Sequence, residues 1–331
     1  MDILFLGGTS IDLIQDKNKE RNSLGFTAST GGSITNSAVI SARLGLKTAM
    51  ISRVGKDPLG DFAKRFLKSC RVNTSGMIQD PNIRTPIAVA SIDKKGNSKY
   101  TFYKNTSKDS IVCFRNASKK LLRSAKILHF GSSFSYQKDT YPEALKYVKF
   151  LKKRGAFISF DPNFRPYNIK DKRASKNRVL ELLKWIDLAK LSEVDLEFLM
   201  SSPSATADKL QRGSKAIYQK ALKTLKKQSK CEIILTLGSK GSMYLDSAGK
   251  IITAPAFKVK IADTIGAGDA FTAGLLYKIA KIGERQVFKN IKPILTFASA
   301  LSAIICTKSG ANKGLKDIKQ ANSFPAKHHS E

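Results

Sequence analysis

Short apolar runs alternate along the chain with stretches whose apolar residues recur every three to four positions. The short runs predict buried strands over 3–6, 48–53, 127–130, 157–160, 188–191, 233–237 and 242–245. The longer spacing predicts helices over 58–69, 140–154, 174–185, 214–228, 267–281 and 288–306. Strand followed by helix, repeated, argues for a mostly parallel sheet covered by helices on both faces. Two segments break this rhythm. Residues 12–30 are polar and irregular, and residues 86–104 read as two strands joined by a turn at Asp93–Asn97. A lone hairpin is marginal in water, so this excursion needs something to pack on. No repeat or low-complexity linker divides the 331 residues, and their length is enough for a sizeable core.

The most informative run is 262–277, ADTIGAGDAFTAGLLY. Gly266, Ala267 and Gly268 precede Asp269 and an apolar stretch with helical spacing. Such a turn opens a helix with bare backbone N–H groups, which attract anions. An acid beside an anion-attracting turn is electrostatically awkward, and a general base next to a phosphoryl group would explain it. On this run alone, an ordinary first-turn acid explains Asp269 equally well.

A second glycine run, GGSITNSAVISARLG, occupies 31–45. Gly31 and Gly32 permit a ligand to approach the backbone closely. Asn36 stands at the start of the helix that Ala38, Val39, Ala42 and Leu44 predict, where its amide can hold a hydroxyl. In their order and separation the two runs resemble the paired signatures of the ribokinase-like (PfkB) carbohydrate kinase family. The similarity extends from about residue 3 to residue 311. It implies an α/β fold: a three-layer α/β/α core with a mostly parallel sheet and a small β-sheet lid. The kinase domain would span 1–323, with lid segments at about 12–30 and 85–112, followed by a polar tail over 324–331. It also implies a homodimer formed through the lid.

The resemblance places roles on individual residues. Asp269 would be the base, the N–H groups of Gly266, Ala267 and Gly268 would face the transferring phosphoryl group, and Arg165 of DPNFRP (161–166) would offset its charge. Asp12, Gly31, Gly32, Asn36, Phe102 and Tyr103 would form the sugar face. Lys104 would join them where the family's lid run usually ends in arginine; lysine keeps the charge but loses the bidentate fork. In LSEVDLEFL (191–199) the family's NxxE positions fall on Ser192 and Asp195, so Asp195 and Glu193 become candidates for Mg²⁺ held through water. Thr236, Gly238, Gly241 and Ser299 would lie on the nucleotide side, with Ser192 alongside. Asp263 is a candidate for a monovalent cation, K⁺. The expected activity is transfer of the ATP γ-phosphate to a primary hydroxyl of a sugar, with fructose first. Alternatives are 2-keto-3-deoxygluconate, 5-dehydro-2-deoxygluconate, or a non-catalytic sugar- or nucleotide-binding regulator. A dinucleotide-binding dehydrogenase is excluded by Gly7-Gly8-Thr9-Ser10, which supplies no GxGxxG after the first strand.

Composition adds little that conflicts. The net charge is +32, from 58 Lys and Arg against 26 Asp and Glu. A polyanionic partner would explain it. The lysines are spread over predicted helix faces, however, with no basic tail and no basic patch interleaved with aromatics, so nucleic acid is not the expected partner. Four scattered cysteines without metal spacing read as reduced thiols of a cytoplasmic protein. The start, MDILFLGG, lacks the basic region of a secretory signal. No apolar run reaches the roughly 20 residues of a membrane span.

Overall fold

The computed structural model describes residues 1–15, 25–92, 98–103, 111–201, 215–229 and 231–328. In chain order its strands are β1 (Ile3–Leu6), β2 (Ser10–Gln15), β3 (Phe26–Gly31), β4 (Thr48–Gly55), β5 (Asn73–Asp80), β6 (Ile87–Ile92), β7 (Ser98–Tyr103), β8 (Ile127–Gly131), β9 (Phe157–Asp161), β10 (Leu188–Ser192), β11 (Glu232–Thr236), β12 (Ser242–Leu245) and β13 (Ile251–Ala254). Among the described residues, nine of these form one sheet in the order β13-β12-β11-β10-β9-β8-β1-β4-β5. Neighbours run parallel from β11 to β5, while β12 and β13 are antiparallel.

The period of two explains why the strands read as unbroken apolar runs. In β1, Leu4 and Leu6 enter one core while Ile3 and Phe5 enter the other. Both faces are covered, so neither set can be polar. The first core is closed by the helices Tyr141–Lys153, Lys172–Leu183 and Lys215–Ser229. The second is closed by Ser33–Arg43, Ala267–Ile282 and Ile291–Cys306. The result is the expected three-layer α/β/α arrangement.

The remaining strands form a separate sheet in the order β3-β2-β6-β7. β2 follows β1 after only Gly7, Gly8 and Thr9, so the chain passes directly from the core sheet into the small one. The polar 12–30 segment therefore contributes two antiparallel strands, with Ser10 opposite Gly31 and Asp12 opposite Ser29. The β6–β7 hairpin is present. Its expected turn at Asp93–Asn97, like Lys104, lies outside the described residues.

One expectation changes, and two helices appear that were not predicted. The helix predicted over 288–306 is two helices, Glu284–Lys289 and Ile291–Cys306, separated at Asn290. Pro293 sits in the first turn of the second, where its missing N–H costs nothing. The segment around Asp195 is a helix, Glu193–Met200. The final helix, Ile318–Lys327, carries order beyond Phe324, whose ring meets Phe257 edge-on and stacks on His328.

Candidate active site

The carboxyl ends of β1, β8, β9 and β10 point toward the small sheet, and between them lies a cleft of about 1050 Å³. In open α/β sheets this is where ligands bind. Two helices begin at its wall, and neither has a side-chain cap. Ser33–Arg43 starts after Gly32 (φ 102°) and Ala267–Ile282 starts after Gly266 (φ 81°). At Gly266 the positive φ favours glycine, and a β-carbon would also collide with the carbonyl oxygen of Ala311 and lie 2.7 Å from its Cα. In the second helix the Ala267 N–H donates to the Thr264 carbonyl at 3.3 Å; the other early N–H groups of the two helices are left for something else.

Asp269 occupies the first turn of the second helix and is held by the first. Ser33 Oγ donates to Oδ1 at 2.6 Å and Asn36 Nδ2 donates to Oδ2 at 2.8 Å. Ser37 Oγ donates to the Asp269 carbonyl at 3.2 Å. Asn312 Nδ2 in turn lies 3.5 Å from Asn36 Oδ1. Burial pushes the Asp269 carboxyl above the ordinary carboxylate range, the Ser33 and Asn36 hydrogen bonds pull it back, Asp161 pushes it up and Lys190 pulls it down. A carboxylate so placed is more basic than one in water and is fixed in direction, as proton abstraction requires. Asn36, expected to hold a substrate hydroxyl, gives one amide N–H to Asp269 and lines the cleft.

Across the cleft, the register of the small sheet aligns Asp12, Ala88 and Phe102 in one row. All three line the cleft. Tyr103, the next residue on its strand, is 62% exposed and belongs to the outer face, away from the cleft. Asp12 Oδ1 accepts from Ser10 Oγ at 3.1 Å. Gly31 stands beside it because any β-carbon there would overlap the Asp12 carboxylate. Burial pushes Asp12 up to about 6; the Ser10 hydrogen bond opposes this and Asp269 adds to it.

Arg165 also lines the cleft. Its loop is strongly shaped: Asn163 adopts a left-handed φ of 43° and its N–H donates to Asp161 Oδ1 at 3.1 Å. Arg165 Nη1 donates to the Phe164 carbonyl at 3.1 Å. The Phe164 N–H donates to Asp195 Oδ1 at 2.7 Å.

The remaining candidates lie outside this cleft lining. Asp195 Oδ2 accepts from the N–H and Oγ of Ser192 at 2.7 and 2.6 Å, a reciprocal cap that starts the helix Glu193–Met200. Glu193 accepts the Tyr218 hydroxyl. Thr236 Oγ1 donates to the Leu191 carbonyl at 3.2 Å, and Gly238 and Gly241 turn the chain with positive φ before β12. Ser299 is buried within Ile291–Cys306. Asp263 accepts the N–H groups of Ile265 and Gly310 at 2.9 and 2.8 Å, tying down the segment that enters the Gly266 turn. Among the described residues no three His, Cys, Asp or Glu side chains gather as a metal cage.

Sequence reasoning passed over Ser33, Ser37, Asp161 and Lys190. Ser33 was in view inside the GG-x-x-x-N run. Lys190 had a signal too, a charge inside a strand buried on both faces.

The profile of the pfkB family of carbohydrate kinases matches residues 1–318. Fructokinase-1 of Oryza sativa subsp. japonica is 30% identical over 289 residues, covering 86% of this chain and 85% of that protein. Fructokinase-2 of Solanum lycopersicum is 30% identical over 300 residues, covering 90% and 87%. Among solved structures, the ATP-bound fructokinase from Xylella fastidiosa superposes with a TM-score of 0.85 at 24% identity over 98% of both chains. A fructokinase from Vibrio cholerae O395, solved with fructose, ADP and calcium, does so with 0.82 at 25% identity over 98% of both. With the glycine-led helix turn, the clamped Asp269 and this full-length match, the chain belongs to the pfkB family of carbohydrate kinases and is a sugar kinase.

Proposed function

We propose that the enzyme transfers the γ-phosphoryl group of ATP to a primary hydroxyl of fructose. The observation that carries this is Asp269, clamped at an uncapped helix start and facing Asp12 across one cleft. The sugar lies between them, its hydroxyls donating to Asp12 and its reacting hydroxyl directed at Asp269. Asp269 takes the proton as the hydroxyl oxygen attacks the γ-phosphorus and ADP leaves. The N–H groups of residues 266–268 stabilise charge on the phosphoryl oxygens, and Arg165 adds a planar cation at the cleft wall. Glu193 and Asp195 would hold Mg²⁺ through water, and the ion would supply screening of the phosphate charge. The nucleotide extends toward the turn at Thr236, Gly238 and Gly241. The exposed Phe26 and Tyr103 on the outer face of the small sheet support a dimer through the lid.

Fructose is favoured because the curated relatives above are fructokinases and because Asp12 suits a neutral polyol. A keto-deoxy acid would bring a carboxylate toward Asp12, and Lys104 is the sequence's substitute for the guanidinium that would best receive it. An ATP-consumption screen over ketohexoses, aldoses, keto-deoxy acids and nucleosides tests this. Fructose is expected to give the highest kcat/KM. A tenfold or greater preference for 2-keto-3-deoxygluconate would overturn the acceptor and leave the sugar kinase standing.

Asp12 yields a pH prediction. Its carboxylate is the acceptor of sugar hydroxyls, and it titrates near 6 in the folded chain. The sugar KM is therefore expected to rise as pH falls through about 6. The sign for stability is opposite. A carboxyl whose folded pKa lies above its unfolded value opposes folding once ionised, and the penalty grows between the unfolded value of 3.8 and about 6. Asp12→Asn should bind fructose poorly yet be more stable at pH 7 by up to about 3 kcal/mol, read as a higher melting temperature. A variant with unchanged KM would remove Asp12 from the sugar site.

A further inference from the structure

Lys190 lies on β10, on the face turned toward the helix Ala267–Ile282. Its Nζ is 2.7 Å from Asp161 Oδ2, and the two side chains are only 7% and 2% exposed. A β-carbon at Gly268 would stand 3.3 Å from that Nζ, so the ammonium rests against the turn that carries Asp269. Both residues of the pair reach the cleft lining. An ion pair this buried is a poor investment for stability alone, because desolvating two charges offsets most of their attraction.

The surroundings indicate what the pair does. Four acids converge here: Asp12 from β2, Asp161 from β9, Asp195 from the helix Glu193–Met200, and Asp269. Arg165 faces them from its loop. His129 on β8 carries no charge at neutral pH, since burial and Lys190 hold it down to about 3. Lys190 stays charged: burial pulls it down, but Asp161 and Asp195 outweigh this and hold the ammonium above its ordinary range. Left unpaired, Asp161 would be a buried anion beside the base.

We propose that Lys190 is a positioning residue for Asp269: by pairing with Asp161 beneath the Gly266–Gly268 turn, it cancels a buried negative charge and lets Asp269 meet the acceptor ionised. This rests on Asp269 being the base. Asp161 serves two ends, since its other oxygen holds the Asn163 N–H and so shapes the Arg165 loop. The pair therefore joins the loop that carries the cleft arginine to the turn that carries the base.

The test compares kcat against pH, at saturating fructose and ATP, for the full-length wild type, Lys190→Met, Lys190→Arg and the double variant Asp161→Asn/Lys190→Met, each with a thermal melt. Lys190→Met should move the midpoint of the acidic limb upward by roughly one unit or more, the effect of losing a nearby opposite charge. Lys190→Arg should leave the midpoint in place. The double variant, which buries no unpaired charge, should bring the midpoint back to within a few tenths of wild type, even if its plateau falls because the Arg165 loop has lost an anchor. A purely structural lysine would lower the melting temperature or plateau and leave the midpoint unmoved, and that result in a folded Lys190→Met overturns the proposal. If Lys190→Met does not fold, the double variant decides: a midpoint still raised by a unit or more overturns the proposal. Asp269→Asn separates the two claims. Loss of its turnover together with an unmoved Lys190→Met midpoint leaves the base standing and removes the role of Lys190.

Discussion

With asparagine in place of Asp269, the enzyme is expected to fold and bind sugar while kcat falls by about 10²–10⁴-fold. The amide matches the carboxyl in shape, so the helix Ala267–Ile282 keeps its packing. Ser33 can still donate to an amide oxygen. Asn36 cannot also be satisfied, because its Nδ2 would face a second NH₂ where it now meets Oδ2 at 2.8 Å. The amide therefore loses the ability to accept the proton and loses part of its aim, and the upper end of the range is the more apt expectation. Steady-state kinetics, beside sugar binding by calorimetry, check both halves. Turnover within a few-fold of wild type would sink the assignment of the base.

Gly266→Ala should be nearly as damaging, for a different reason. A non-glycine residue held at φ 81° costs roughly 1–3 kcal/mol. The new methyl also meets backbone atoms of Ala311, which no side-chain rotation can clear. The turn must shift, and its N–H groups lose their aim. Losing a single donor of this kind typically costs about 10²–10³-fold in kcat. Gly283 provides the control, because it caps the other end of the same helix at φ 79° with nothing within 4 Å of a β-carbon. Gly283→Ala should lose stability and keep kcat. Equal kcat in the two variants would show that the turn does not act on the phosphoryl group.

Much of this was legible in the chain. The strands buried on both faces were, because a sheet covered by two helix layers requires apolar residues at every position, and such runs have few other uses. β5 was not. Its sequence, NTSGMIQD, forms the sheet's edge and is partly exposed, so its polar residues hide it. The two glycine turns and Asp269 could be read because the two runs, in their order and separation, resemble the family's paired signatures; the Asp269 run alone fits an ordinary first-turn acid equally well. The contact of Asn36 with Asp269 could not be read. An amide at a helix start can face a ligand or a neighbouring side chain, and only the approach of a segment 233 positions away decides which. Asp195 shows the same ambiguity. Its spacing from Ser192 satisfies both a metal-site pattern and a helix cap; the cap takes Oδ2, and Oδ1 accepts the Phe164 N–H. Lys190 was obscured by its setting, since a single lysine in an apolar strand looks like a strand end until its partner on β9 is known.

The bond from Ser33 to Asp269 spans 236 positions. β1 lies inside the sheet between β8 and β4, and the helix bearing Asp269 comes much later in the chain. On the ribosome, where earlier segments fold before later ones exist, the small sheet and its Asp12 emerge long before the base. On the roles proposed for Asp12 and Asp269, a truncated product ending before Gly266 would hold the sugar acceptor without the base, and phosphoryl transfer would be withheld from it.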